Sequence, residues 1–431
     1  MADIKAFKGL RYSAAAGDLA QLCCPPFDVI GDAERQALLD MNPNNIVRLE
    51  LPNPRGASSE DIGVYGAARA CLNNWLAKGV LAEDRGENFY VYGMDFTYKE
   101  ALYSLKGFVA LVKLEHFDKG IILPHEETLS RDKTDRFNLI TATGCNFSQV
   151  YSLYSDEDGA VYSLIDGASS GEPDSAFTDK GGVRHKLWRV WEEGVISAVT
   201  AKMANKKLFI ADGHHRYETA LEYMKFVREN KVDIGTSGYI PMLLVNLENP
   251  GLVVFPTHRI VRDLPRYSHE ETAARCAEYF DITPRLTREK AESSSYEACK
   301  SGKNAFVLYG GGGGYTLMVL KDAGIMTAVM PDAHNYLRNL DVSVLHSLVL
   351  EKILGIDKAN TDAQINITFA RNADDAVAAV EQKRANCCFL LNSTRVSEIR
   401  NVALTGGKMP QKSTYFYPKP TTGMVMNRIF K

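Results

Sequence analysis

The chain has 431 residues, of which 45% are hydrophobic, 10% aromatic and 24% charged; this composition is close to the globular average and excludes wholesale disorder. At roughly 150 residues per domain, the length predicts about two to three domains. Lys and Arg total 50 against 53 Asp and Glu, a formal charge of −3, so nothing draws the whole molecule to a polyanion and a nucleic-acid role would need a local basic patch.

No apolar run approaches the roughly 18 residues that span a bilayer, and Met1 to Lys8 carries no signal-peptide core. A soluble, cytoplasmic protein is expected, with neither membrane nor nucleic-acid partner. The eight cysteines include the adjacent pairs Cys23-Cys24 and Cys387-Cys388 but no C-x-x-C, which favours reduced, buried thiols over a zinc ribbon or a redox pair.

In chain order, the first clear element is a helix from about Ser59 to Lys78, where Val64, Ala68, Cys71, Leu72 and Trp75 recur at helical spacing and Gly79 fits the position just past the end. Two strand-like runs, 88–98 and 103–114, flank Lys99-Glu100 and predict a hairpin. The polar stretch from Ser155 to Gly182 reads as loop broken by short elements. Its Gly167-Ala168-Ser169-Ser170-Gly171 matches G-x-S-x-G formally but lacks the strand and helix that a nucleophile elbow requires.

Lys207 to Ala211 is a short apolar strand that runs into Asp212-Gly213-His214-His215-Arg216 and then into an amphipathic helix carrying Tyr217, Ala220, Leu221, Met224 and Val227. A further apolar pair, 239–245 and 252–255, is joined across the turn tetrapeptide Glu248-Asn249-Pro250-Gly251. A boundary is placed near Pro265, giving domains 1–265 and 266–431. Beyond it, helical and strand patterns alternate as in a second α/β unit. The glycine run Gly310 to Gly314 lacks the Walker spacing and reads as a turn between two strands.

The strongest local signal is Asp212 to Arg216. Asp212 stands where an N-cap belongs, Gly213 permits a close turn, and the next amides would offer N–H groups to an anion. His214, His215 and Arg216 add donors and positive charge suited to phosphate oxygens. The helix dipole alone supplies about 0.3–2 kcal/mol, far below the roughly 8 kcal/mol or more that catalysis demands, so the side chains must contribute. A capped helix on a surface turn with solvated histidines is the competing reading.

A second cluster, Pro124 to Arg136, holds His125, Glu126, Glu127, Lys133 and Arg136. A carboxylate there could accept a hydroxyl proton while Lys133 or Arg136 neutralises phosphate; a charged helix face looks much the same. His258 and Arg259, at a probable strand end, form a third His-Arg cluster. Lys408, Lys412, Ser413 and Thr414 make a polar segment able to cover an anion. His214, His215 and Glu218 do not match a zinc motif, and the metal ligands stay unknown; a Mg²⁺ carried by nucleotide phosphates fits the chemistry better.

Pro25-Pro26-Phe27-Asp28, Pro124-His125-Glu126-Glu127-Thr128, Ala211-Asp212-Gly213-His214-His215-Arg216-Tyr217, Pro256-Thr257-His258-Arg259 and the run from Met409 to Lys419 together resemble domain of unknown function 1015, a bacterial and archaeal family, over essentially the whole chain. The Asp-Gly-His-His-Arg element is similar to the signature of the ParB/sulfiredoxin-like fold, whose equivalent turn binds nucleotide phosphates. It is also similar to that of the free serine kinases, which phosphorylate L-serine and use a catalytic glutamate.

The resemblance implies an α/β (α+β) fold: a ParB/sulfiredoxin-like mixed-sheet domain with a hairpin insertion, plus a C-terminal α/β domain. It also implies a kinase of a small hydroxyl metabolite, with free L-serine first, ATP or ADP as donor and Mg²⁺ as cofactor. Asp212, His214, and Glu126 or Glu127 would be catalytic; Gly213, His215, Arg216, Lys133, Arg136, His258 and Arg259 would hold phosphate or nucleotide. A phosphoserine phosphatase-type hydrolase and a non-catalytic nucleotide-binding regulator are the alternatives, and a homo-oligomer is left open.

Overall fold

The computed structural model describes residues 2–53, 62–126, 130–230, 235–312 and 314–430. The fold is mixed α/β, and its contacts divide the chain into two compact units. The first takes in the chain up to Pro124, the stretch ending at Val253, and the end of the chain from Pro418; the second takes in His125, Glu126 and Val254–Tyr417. The division after Val253 lies upstream of the boundary expected near Pro265, and the closing segment returns to the first unit.

The first unit is built on a nine-stranded mixed sheet among the described residues. Its centre is the expected hairpin, Phe89–Tyr98 against Ala101–Lys113, with Tyr98 opposite Ala101. The two turn residues, Lys99 and Glu100, both have positive φ (47° and 64°), the backbone twist that a two-residue hairpin needs. The strand Tyr239–Asn246 pairs antiparallel with this hairpin and parallel with Val150–Tyr154. Next to Val150–Tyr154 lies Leu208–Asp212, antiparallel to it and parallel to Ile122–Leu123.

Every residue of Leu208–Asp212 is buried, which explains why Leu208 to Ala211 is a continuous apolar run rather than an alternating one. The helix His214–Glu229 then folds back: Tyr217, Ala220 and Met224, spaced at three and four, pack with Val150, Ile210 and Leu244 in one core. A second core gathers Leu72 and Trp75 of the helix Ile62–Ala77 with Leu10, Ile46 and Phe147. Gly79, at φ 68°, follows that helix in the left-handed conformation, as its position in the sequence requires.

The short elements expected in 155–182 are present, and one other expectation changes. The stretch 155–182 contains the helix Ala160–Ala168 and the edge strand Ser175–Thr178; Gly167 and Ala168 end that helix, and Ser169 is buried with its hydroxyl on the Ile165 carbonyl, so the serine is no nucleophile elbow. The strands on either side of Glu248-Asn249-Pro250-Gly251 do not pair with each other: Val253–Phe255 pairs instead with Tyr415–Tyr417.

Among the described residues the second unit holds a six-stranded sheet in the order 280–286, 315–320, 305–309, 387–391, 258–261, 367–370. All its pairings are antiparallel, with helices such as Arg288–Lys300 and Ala373–Glu381 packed on it through Ala291, Ala376 and Val380. The strands Ala305–Tyr309 and Tyr315–Leu320, which flank the glycine run, pair antiparallel, and Gly311 and Gly312 take left-handed φ.

Candidate functional site

The corner where Leu208–Asp212 meets His214–Glu229 is shaped by three local features. The pairing with Val150–Tyr154 slips between Ile210 and Asp212, leaving Ala211 as the extra residue of a bulge; a bulge at a strand end re-aims the next side chain. Gly213 then takes φ 91°, ψ 28° as the residue before the helix, with no side chain capping the helix start. Only glycine adopts that conformation without strain.

Asp212, re-aimed in this way, is not an N-cap. One of its oxygens accepts from Nη2 of Arg216 at 2.7 Å and the other from Nζ of Lys419. Arg216 also donates from Nη1 to the Gln149 carbonyl. The turn was expected at the surface, yet Asp212, His214 and Arg216 are only 9%, 6% and 8% exposed. The bulge and the left-handed glycine fold the side chains inward, so a ligand approaching from solvent meets Gly213 and His215, which are half-buried.

At the corner two cations, Arg216 and Lys419, pair with the Asp212 carboxylate. With a 16-residue helix starting there, the local field favours an anion. Glu50, fully buried nearby, has its carboxyl pushed upward by burial, an effect opposed by Arg136 and then Arg216. Ser148 donates to Glu50 at 2.7 Å.

The other expected residues separate into groups. Lys133 reaches the helix His214–Glu229, pairing with Glu218 at 3.2 Å. Arg136 is 6% exposed and occupied: Nη1 donates to the Glu50 carbonyl at 2.7 Å, Nε to Asp135 at 2.9 Å, and the guanidinium lies 4.1 Å from the centre of the Phe27 ring. These bonds tie it to other parts of the first unit. Glu127 lies outside the described residues.

Glu126, His258 and Arg259 belong to the second unit. Glu126 accepts from the Lys412 amide at 2.8 Å and Arg259 donates to the Gln411 carbonyl at 3.3 Å, so both hold one short backbone stretch. His125 is buried with Nε2 3.0 Å from the Thr414 hydroxyl. The segment 409–414 is thereby docked on His125 and Glu126. His258 accepts the Leu391 amide at Nδ1, 3.2 Å away, and burial, reinforced by Arg259, lowers its pKa to about 4. A neutral ring serving a backbone amide does the work of sheet register.

Lys419 and Gln149 were missed by sequence reasoning. Lys419 lies 207 residues from Asp212; its one signal is Pro418-Lys419-Pro420, in which two prolines restrict the backbone around the lysine. No group of three or more His, Cys, Asp or Glu among the described residues is arranged to hold a metal ion. At the corner itself Asp212 spends both oxygens on cations, so the residues there do not make a protein-held cation site. No described helix is long and apolar enough to cross a membrane.

No curated protein matches the chain. Its fold is similar to solved structures at low identity. A conserved hypothetical protein from Pyrococcus furiosus has 14% identity and a TM-score of 0.37, covering 75% of this chain and 97% of its own. A free serine kinase in complex with AMP has 11% identity and a TM-score of 0.38, with 75% and 93% covered. SbnI with a C-terminal truncation, from Staphylococcus aureus, has 12% identity and a TM-score of 0.37, with 74% and 86% covered. A family model matches residues 4–343, well over half of the sequence, and the chain belongs to the family it describes, "Protein of unknown function (DUF1015)".

Proposed function

We propose that the Gly213–Arg216 corner receives the phosphate groups of a nucleotide and that the protein transfers a phosphoryl group to a small hydroxyl metabolite, free L-serine being the first to try. The observation that carries this reading is the pairing of an uncapped helix start at a left-handed glycine with two cations around one carboxylate. Two cations beside the start of a helix attract an incoming phosphate. Phosphoryl transfer depends mainly on positioning and charge stabilisation, which is what backbone amides, Arg216, Lys419 and His215 can offer.

In that reaction the acceptor oxygen forms a bond to phosphorus as the bond to the nucleotide's leaving oxygen breaks, and the hydroxyl proton passes to a carboxylate. The family resemblance implies Glu126 or Glu127 for that role. Mg²⁺ would arrive on the ATP or ADP phosphates and offset their charge. The burial and mutual pairing of Asp212 and Arg216 favour a second reading, a nucleotide-binding regulator without turnover.

Calorimetric titration with AMP, ADP and ATP, followed by incubation with L-serine and mass spectrometry of the products, separates the readings. Phosphoserine formed by the wild type and lost in Glu126→Gln supports the kinase. Nucleotide binding without product supports the regulator. Absence of nucleotide binding eliminates both.

A further inference from the structure

Pro418-Lys419-Pro420 leads into Thr421, the first residue after Lys419 whose amide can donate, since Pro420 has no N–H. That amide donates to the Tyr92 hydroxyl at 3.1 Å. Oγ1 of Thr421 and the Thr422 amide both donate to the Cys24 carbonyl at 2.8 Å. The chain just beyond the lysine is therefore held at two places. Two prolines restrict the backbone between those bonds and the ammonium group on Asp212.

Tyr92 ends a buried polar chain. It lies on Phe89–Tyr98 directly opposite Leu187 of the strand Arg184–Val190, and His185, two residues along, shares its face. The Tyr92 hydroxyl is 2.8 Å from Nδ1 of His185, and Nε2 of that ring is 3.1 Å from Oδ2 of Asp179. Oδ1 of Asp179 accepts the Val183 amide at 2.9 Å. The His185 ring is 1% exposed and stacks on Phe177, with centroids 5.0 Å apart. Burial pushes the Tyr92 pKa upward, so the phenol keeps its proton. The Thr421 amide is a donor, and among the described residues Nδ1 of His185 is the acceptor left for that proton. The ring is then neutral, with its hydrogen on Nε2 facing Asp179. Every bond points the same way, from the Thr421 amide to the Asp179 carboxylate, and a buried network satisfied throughout fixes its members in one arrangement.

We infer that Tyr92 and His185 are positioning residues for Lys419: the chain from Asp179 fixes Thr421 and, through Pro420, the lysine that meets Asp212. The Asp179 side chain, just past the edge strand Ser175–Thr178, is 36% exposed, so the corner is steadied from the rim of the sheet. All these residues belong to the first unit. The inference rests on the nucleotide reading for what the held lysine does; that it is held is a separate matter.

The test is a double-mutant cycle of Tyr92→Phe with Lys419→Met on the full chain, read in melting temperature and in ADP affinity, with nitrogen NMR of the histidine rings. In the melts, the two changes together are expected to cost less than the sum of their separate shifts, since unconnected sites add; additive shifts overturn the inference. In the titrations, Tyr92→Phe is expected to lose part of the about tenfold ADP affinity that the lysine supplies, and to lose nothing more once Lys419→Met is present. An equal loss in both backgrounds also overturns it. If the wild type binds no ADP while the melts are coupled, the nucleotide reading fails and the positioning role stands. The His185 ring is expected to show a bare Nδ1 and a protonated Nε2, a signature that Tyr92→Phe shifts; a hydrogen on Nδ1 in the wild type would sink the chain described. If Tyr92→Phe fails to fold, Asp179→Asn, at the exposed end, takes its place in the same cycle.

Discussion

The guanidinium of Arg216 lies directly beneath the α-carbon of Gly213. A methyl group placed on that carbon would come within 2.9 Å of Nε and Nη2 and 3.0 Å of Cζ. The glycine is therefore required twice, by its φ of 91° and by the side chain packed under it. Gly213→Ala is expected to lower stability by about 1–3 kcal/mol and to weaken nucleotide binding. In an Arg216→Ala background the crowding is gone and the dihedral cost remains, so a double-mutant cycle should show a coupling of about 0.5–3 kcal/mol. Additive costs would mean that the close approach carries no energy.

Removing Lys419 and removing Asp212 should have opposite signatures. Lys419→Met keeps the Asp212–Arg216 pair but removes one of the two cations at the corner, so ADP affinity should fall about tenfold with a modest change in melting temperature. Asp212→Asn leaves Arg216 and Lys419 facing each other in a buried place, and about 3–5 kcal/mol of stability should be lost. Calorimetry and thermal melts on the two variants check this. Equal ADP affinity in Lys419→Met and wild type would remove the lysine from the site.

The strand, turn and helix at 208–229 were legible because burial on both faces writes an apolar run and one-sided burial writes a helical period. The inward turn of Asp212 was not. It depends on a bulge at Ala211, which leaves no compositional mark, and on Lys419, which comes from the far end of the chain. The hairpin turn was legible from two adjacent polar residues, whereas the helix 160–168 hid in a stretch rich in Ser, Gly and Asp. There a side-chain oxygen of Asp156 accepts the amides of Val161 and Tyr162 from outside the helix, a contact that composition does not reveal. Arg136 and His258 carry structural bonds, to Glu50 and Asp135 and to the Leu391 amide, that their place in the sequence does not reveal.

Arg136 should behave as a structural residue. Its removal leaves the Glu50 carboxyl, 2% exposed, with Ser148 and only the weaker influence of Arg216. Arg136→Ala is expected to cost about 3–5 kcal/mol, read as a lower denaturant midpoint. Adding Glu50→Gln, which removes the orphaned charge, should recover part of that loss. A stable Arg136→Ala protein with lost nucleotide binding would return Arg136 to the phosphate site.

His258 gives the second unit an acid sensitivity whose sign can be worked out. The unfolded chain takes up the proton near the ordinary histidine value of about 6.5, whereas the folded ring, accepting the Leu391 amide, holds out to about 4. Above the unfolded value the folded state has its full stability; as pH falls from there through the folded value, protons bind the unfolded chain preferentially and stability is lost, by about 3 kcal/mol for this separation. His346, pushed downward by burial and then by Arg259, acts in the same direction. Asp341 opposes them: with its pKa raised to about 6, the folded state binds the proton first, so this group gains stability as pH falls through that value. Unfolding free energies measured by denaturant titration from neutral pH down to about pH 4 should therefore fall with a shallower slope in His258→Gln, whose amide oxygen can still accept from Leu391, and with a steeper slope in Asp341→Asn. An unchanged slope in His258→Gln would mean that the ring is protonated in the folded state and that its bond to the sheet is not the one described.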